Sequence, residues 1–369
     1  MTESGEAGAH LAAWFRTQMP DADDLRVEGQ HRVEFGHSAE MMMLTLAWGS
    51  ESGDTRRDVV VRIRPPEPGL LEPYDMAGQF EILRALEPTK VRAPKALWLE
   101  PTGAVIGRPF YVMERVAGDV YETAVPAEFD AQPGRIRQMC ESFVDQLAEI
   151  HLVDLDATGL RRVLGDGRDY LDRELDHWAG EMRRVQRAPL PALERMHGEL
   201  RAQQPEPCPR VSLVHGDAKP GNFAFVGAEV SAVFDWELTA VGDPLADIGY
   251  AEMMWSLPVG LPTRPSALTA DELVARYEAR TGITVLHRPW YRAFQMFKVL
   301  VIQLVGSMMF DQGISDDLRL ADMGMGIPYM TPMGLRDLGV DDELESGPVV
   351  PSSDRIAAVR AAARAARPC

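Results

Sequence analysis

A chain of 369 residues, 46% hydrophobic and 25% charged, is long enough for two packed lobes and is not a disordered or fibrous protein. Its formal net charge of −18, from 56 acidic against 38 basic residues, argues against a nucleic-acid partner, which calls for a basic footprint. Three cysteines, Cys140, Cys208 and Cys369, are too few and too scattered for a disulfide framework or a zinc site.

The N-terminal residues carry early acids and lack a basic segment followed by an apolar core, so no secretory leader is expected. The longest apolar stretch, Val299 to Phe310, is broken by Gln303 and Gly306 and falls short of the ~20 residues a spanning helix needs. The expectation is a cytoplasmic protein without a membrane partner.

Residues 6 to 18 place Leu11, Trp14 and Phe15 at helical spacing, and Pro20 ends the run. Strand-like runs follow at Val33 to Phe35, Met41 to Trp48 and Asp58 to Arg64, separated by Gly36-His37-Ser38 and by a turn from Ser50 to Asp54. They predict a three-strand meander that stops at Pro65-Pro66. A helix is expected over Met76 to Leu86, then strands over Lys95 to Glu100 and Arg108 to Arg115.

Ile136, Met139, Cys140, Phe143, Leu147 and Ile150 lie on one face of a long helix from Arg135 to His151. His151, closing that helix, reads as structural, bonded to terminal carbonyls or a nearby loop. Two helices between 170 and 204 are split by Ala188-Pro189-Leu190-Pro191. Further on, helices are expected from Asp247 to Met254, Thr269 to Thr281 and Trp290 to Phe310, with Gly282 stopping the second. Pro348 to Ser353 reads as a linker, and the Ala/Arg-rich Asp354 to Arg367 as a non-catalytic terminal helix.

The chain is organised around Leu213 to Tyr250. A short apolar run, Val211 to Val214, ends in His215-Gly216-Asp217, and Asn222 follows five residues after Asp217. A second run, Val230 to Phe234, delivers Asp235-Trp236-Glu237, and Gly242-Asp243-Pro244 turns the chain toward Asp247. Phosphoryl transfer needs one carboxylate to take the acceptor's proton, and oxygen ligands to hold Mg²⁺ against nucleotide phosphates. Asp217 is therefore the candidate base, with Asn222 and Asp235 the candidate metal ligands. Asp243 and Asp247 read as a turn residue and a helix N-cap that support the loop. A hydrolase built on His215 and a transition metal lacks the further ligands such a site requires.

This segment, HGD-x4-N followed by an Asp after a second strand, resembles the catalytic and metal loops of the aminoglycoside phosphotransferase-like small-molecule kinases. One position departs from the family pattern: two residues after the base, where His is usual, stands Lys219. The resemblance extends from roughly Gly36 to Gly313 and implies an α+β, two-lobed protein-kinase-like fold. Its small antiparallel-sheet lobe would span 1–116, its larger helical lobe 117–345, and a linker and tail 346–369.

The same resemblance implies ATP and Mg²⁺ as nucleotide and metal, and a small-molecule hydroxyl as acceptor. Lys219 would reach the transferring phosphate. Gly36 and Ser38 would lie in the loop over the phosphates, and Arg62, with Arg64 as the alternative, would meet the α- and β-phosphates. Gln79 falls where a kinase places the carboxylate that holds this cation, with Glu81 two residues away, so a Gln–Arg hydrogen bond is the expected replacement. Backbone groups near Glu114 to Val116 would bind adenine, with Met113 behind it. MERV, FDWEL and the final helices look closest to the branch related to the kinase domain of acyl-CoA dehydrogenase fusion proteins, implying a hydroxyacyl or other metabolic alcohol. The alternatives are an aminoglycoside or macrolide phosphotransferase, or a catalytically silent kinase-shaped binding protein.

Overall fold

The computed structural model describes residues 3–33, 39–50, 53–341, 344–345, 347 and 353–365. Helix α1 (Glu3–Gln18) precedes three strands, β1 (Asp23–Val33), β2 (Glu40–Ser50) and β3 (Gly53–Ile63), and helix α2 (Met76–Leu86) leads to β4 (Ala96–Glu100) and β5 (Phe110–Glu114). These strands form one five-stranded sheet in the order β1-β2-β3-β5-β4, antiparallel at every pair.

Alternation along β3 decides what each face carries. Val59, Val61 and Ile63 pack with Leu11 and Phe15 of α1, whereas Val60 turns to the opposite face and joins the core beneath α2. Arg62 therefore lies on the α2 side with Val60, opposite Tyr111 of β5. The expected first strand, Val33 to Phe35, in fact begins at Asp23. Its polar, charged sequence hid it, because an edge strand buries little beyond Leu25.

The remaining chain is mostly helical. β6 (Asp119–Val120) leads to α3 (Pro133–His151), α4 (Leu160–Leu164), α5 (Tyr170–Val185) and α6 (Pro191–Ala202). The strands β7 (Ser212–Val214), β8 (Phe223–Val226), β9 (Glu229–Val233) and β10 (Ala240–Gly242) form two small antiparallel sheets, β6-β8-β9 and β10-β7. Helices α7 (Leu245–Ser256), α8 (Ala270–Thr281), α9 (Arg288–Asp311), α10 (Leu318–Met323), α11 (Ile327–Asp337) and α12 (Ser353–Ala365) complete the chain.

Thr269 caps α8 through a reciprocal capping box with Glu272, and Gly282 closes it in a left-handed conformation, as the sequence predicts. Helix α9 packs against α5, α6, α7, α10 and α11 and is the axis of this region. Its 24 residues have the length and composition of a membrane span, which corrects the expectation that no segment reaches it, yet 78% of its most apolar window is buried inside the protein.

Candidate active site

Strands β7 and β8 hold the loop that carries His215, Asp217, Lys219 and Asn222, and β9 ends at Val233, two residues before Asp235. His215 Nε2 faces the Phe234 carbonyl at 2.8 Å, and the Asp217 amide donates to His215 Nδ1 at 3.2 Å. A carbonyl only accepts, so the proton sits on Nε2 and the ring is the neutral tautomer that ties the two loops together. The Phe234 amide also donates to the Asn222 carbonyl at 2.8 Å, bringing the chains that bear Asn222 and Asp235 side by side.

Asn222 Nδ2 donates to the Asp217 backbone oxygen at 2.9 Å and to its Oδ2 at 2.7 Å. Lys219 Nζ stands 3.6 Å from the same Oδ2 and 3.0 Å from Glu122 Oε1. Burial works against ionisation of Asp217, but Lys219 foremost, then the Tyr250 hydroxyl, His215 and Asn222, hold its pKa below the usual carboxylate value. Burial likewise opposes the Lys219 charge, and Asp217 and Glu122 outweigh it, so the ammonium is retained well into alkaline conditions.

Arg62 Nη2 donates to Asp235 Oδ1 at 2.9 Å and to Glu237 Oε2 at 2.8 Å. This is a correction: the expected Gln79–Arg62 bond does not form, and Gln79 accepts from the Tyr111 hydroxyl at 3.5 Å. Glu81 faces solvent. Arg64 turns away to Glu67 and Glu72, at 2.6 and 3.5 Å. Asp235 itself has φ 66°, a left-handed conformation that Asp tolerates better than most residues and that marks a constrained turn.

Asp243, and not the expected Asp247, supports the start of α7. Helix α7 starts at Leu245, and Asp243 supports that start by accepting the Leu245 amide at 2.9 Å. Asp247, inside the first turn, reaches back to the loop after β7 instead. Its Oδ2 accepts the His215 amide at 2.7 Å, and its Oδ1 accepts the Gly216 amide at 2.9 Å. His151 is structural in this arrangement, but its partners are Asp247 and the Tyr277 hydroxyl at 2.7 Å, not helix-terminal carbonyls.

Met113 is buried on β5 opposite Val60, and Val116 is half-buried just beyond it. The Glu114 amide is already committed to the Lys95 carbonyl at 2.9 Å, and the Arg115 amide to the Asp58 carbonyl at 3.3 Å. Gly36 and Ser38 lie outside the described residues. Sequence reasoning missed Glu122, Tyr250 and Lys298. Lys298 is fully buried, donates to the Gly216 carbonyl and sits 5.5 Å over the Tyr250 ring.

The sheet-bearing and helical regions around this loop define a two-lobed, protein-kinase-like α+β fold. Residues 50–294 match the model of the APH phosphotransferase enzyme family, and the chain belongs to that family. A crystal structure from Ralstonia eutropha, of a protein assigned provisionally as an aminoglycoside phosphotransferase, superposes with TM-score 0.72 at 25% identity over 90% of this chain and 98% of that one. The aminoglycoside phosphotransferase APH(4)-Ia, solved with ADP and hygromycin B, shares the fold at TM-score 0.57 and 14% identity, covering 89% of this chain and 98% of its own. Mouse (Mus musculus) acyl-CoA dehydrogenase family member 10 is 32% identical over 259 residues, 67% of this chain, and the match spans 24% of that relative's length.

Proposed function

We propose that the protein transfers the γ-phosphoryl group of ATP to a hydroxyl of a small molecule, and that the acceptor is a hydroxyacyl-type metabolite. The observation that carries the proposal is the Asp217 carboxylate, kept ionised and held by Asn222 and Lys219 in the loop next to Asp235 and Arg62. Likeness to an acyl-CoA dehydrogenase family member supports the acyl character of the acceptor.

Asp217 orients the acceptor hydroxyl and takes its proton as the oxygen attacks phosphorus. Lys219 offsets charge on the transferring phosphoryl group, and Arg62 serves the phosphates that stay behind. Val116 is the backbone position left to meet adenine, since the Glu114 and Arg115 amides are engaged within the sheet.

Asn222 and Asp235 fit Mg²⁺. Both side-chain bonds of Asn222 use Nδ2, and Asp235 meets Arg62 through Oδ1, so each keeps an oxygen for a hard cation. Among the described residues no group of three or more His, Cys, Asp or Glu could hold a metal, which suits an ion that takes few protein ligands. Asn222 and Asp235 would hold Mg²⁺, which would supply positive charge to offset that of the nucleotide phosphates.

The test is incubation with MgATP and a panel of hydroxyacyl-CoA and hydroxy-acid acceptors, followed by mass spectrometry for phosphorylated product. A phosphorylated acyl compound from the native chain, and none from Asp217→Ala, is expected. Phosphorylation confined to aminoglycosides would overturn the acceptor assignment.

A further inference from the structure

We propose that Glu237 is the positioning carboxylate of Arg62, in the place that protein kinases give to a glutamate on the helix after the cationic strand. The inference rests on the assignment of Arg62 to the nucleotide phosphates. Helix α2 has no carboxylate to offer. Its inward residue, Gln79, is engaged with Tyr111, and its sole acid, Glu81, is exposed. Glu237 instead reaches Arg62 at 2.8 Å, and both side chains are only 7% exposed.

Glu237 is held by a short turn, Trp236–Leu238, in which Trp236 is buried and its Nε1 donates to the Val233 carbonyl at 2.9 Å. That turn starts at Asp235, so Arg62 is gripped from both ends of a three-residue segment, Asp235 to Glu237. The two carboxylates differ in duty. Asp235 is the metal ligand in the proposed reaction and must share its charge when metal arrives. Glu237 keeps a charged partner on Arg62 through that exchange, which a buried guanidinium requires.

A second observation points to a ligand at this guanidinium. Arg62 Nε is buried and has no hydrogen-bond partner, and an orphan donor inside an otherwise satisfied ion pair marks where an acceptor oxygen comes in. With Glu237 and Asp235 on one turn, cation placement and metal placement move together, and displacement of α2 does not release Arg62.

The experiment is calorimetric titration of the full chain with ADP, in Mg²⁺ and separately in EDTA, for the native protein, Glu237→Gln, Arg62→Met and the double variant. Glu237→Gln is expected to weaken ADP about tenfold in both buffers, the loss typical of one charge-assisted hydrogen bond. In the Arg62→Met background it should cause no further loss, and Gln79→Ala should stay within about twofold of native. Should the Gln variant fail to fold, Glu237→Asp keeps the charge and should show a smaller loss of the same pattern. Weakening seen only with Mg²⁺ would make Glu237 a metal ligand and overturn the inference, as would native affinity in Glu237→Gln. A native protein that binds no ADP in either buffer would overturn the nucleotide assignment itself, and this inference with it.

Discussion

Asp247 and His151 face each other at 3.0 Å in a fully buried site, joining the first turn of α7 to the end of α3. The same carboxylate accepts the amides of His215 and Gly216, so one side chain fixes the loop that carries Asp217 from behind. Asp247→Ala leaves two buried amides and a buried histidine without their acceptor. A loss on the order of 3 kcal/mol in denaturant unfolding is expected, with loss of turnover beyond what the folded fraction explains.

Burial disfavours the Asp247 anion, yet the His151 bond, the nearby His215 and the Gly216 amide hold its pKa below the usual carboxylate value. A carboxylate with a depressed folded-state pKa stabilises the fold above its unfolded value, and the contribution is lost as pH falls through the folded one. Stability should therefore fall steeply below about pH 4, and less steeply in Asp247→Asn, as read by chemical denaturation across pH.

Lys219 is the largest of the influences that keep Asp217 ionised against burial. Lys219→Met should raise the Asp217 pKa and move the acidic limb of the kcat/KM profile upward in pH. Turnover should fall by about two orders of magnitude, with KM for ATP changed much less. An unchanged acidic limb would place Lys219 outside the reacting group's surroundings.

Lys298 donates to the Gly216 carbonyl and lies over the ring of Tyr250, whose hydroxyl helps to hold the Asp217 pKa down. Lys298→Met preserves bulk but strips the carbonyl of its donor. An effect of about 1–2 kcal/mol on the barrier is expected, read as a fall in kcat with ADP affinity retained.

The positions of α2, α3, α8 and α9, the small hairpins and the HGD-x4-N pattern were legible in the sequence because each rests on local periodicity or fixed short spacing. Thr269, Glu272 and Gly282 marked α8 from both ends, and the structure keeps those ends. The partners of Arg62 were not legible. Asp235 lies 173 residues away in sequence and Glu237 lies 175, and neither spacing nor amphipathicity reports such pairings. Gln79 stands where a carboxylate facing Arg62 was looked for, and nothing local named the replacement. Asp247 resembled an N-cap because it is an acid at the expected start of a helix. Its true partners come from α3 and the loop before β8, brought together only by the packed core. Lys298 was hidden inside an apolar helix pattern, where a single cation reads as an interruption and not as a group aimed at a carbonyl.

The proposed Mg-nucleotide site is built on Asn222 and Asp235 with Asp217 beside it. Calorimetric titration with ATP, with and without Mg²⁺, on the native protein and on Asp235→Asn tests it most directly. Binding that is strengthened by Mg²⁺, with most of that gain lost in Asp235→Asn, is predicted. Binding of equal strength in the two proteins at saturating Mg²⁺, or no ATP binding in any buffer, would contradict it.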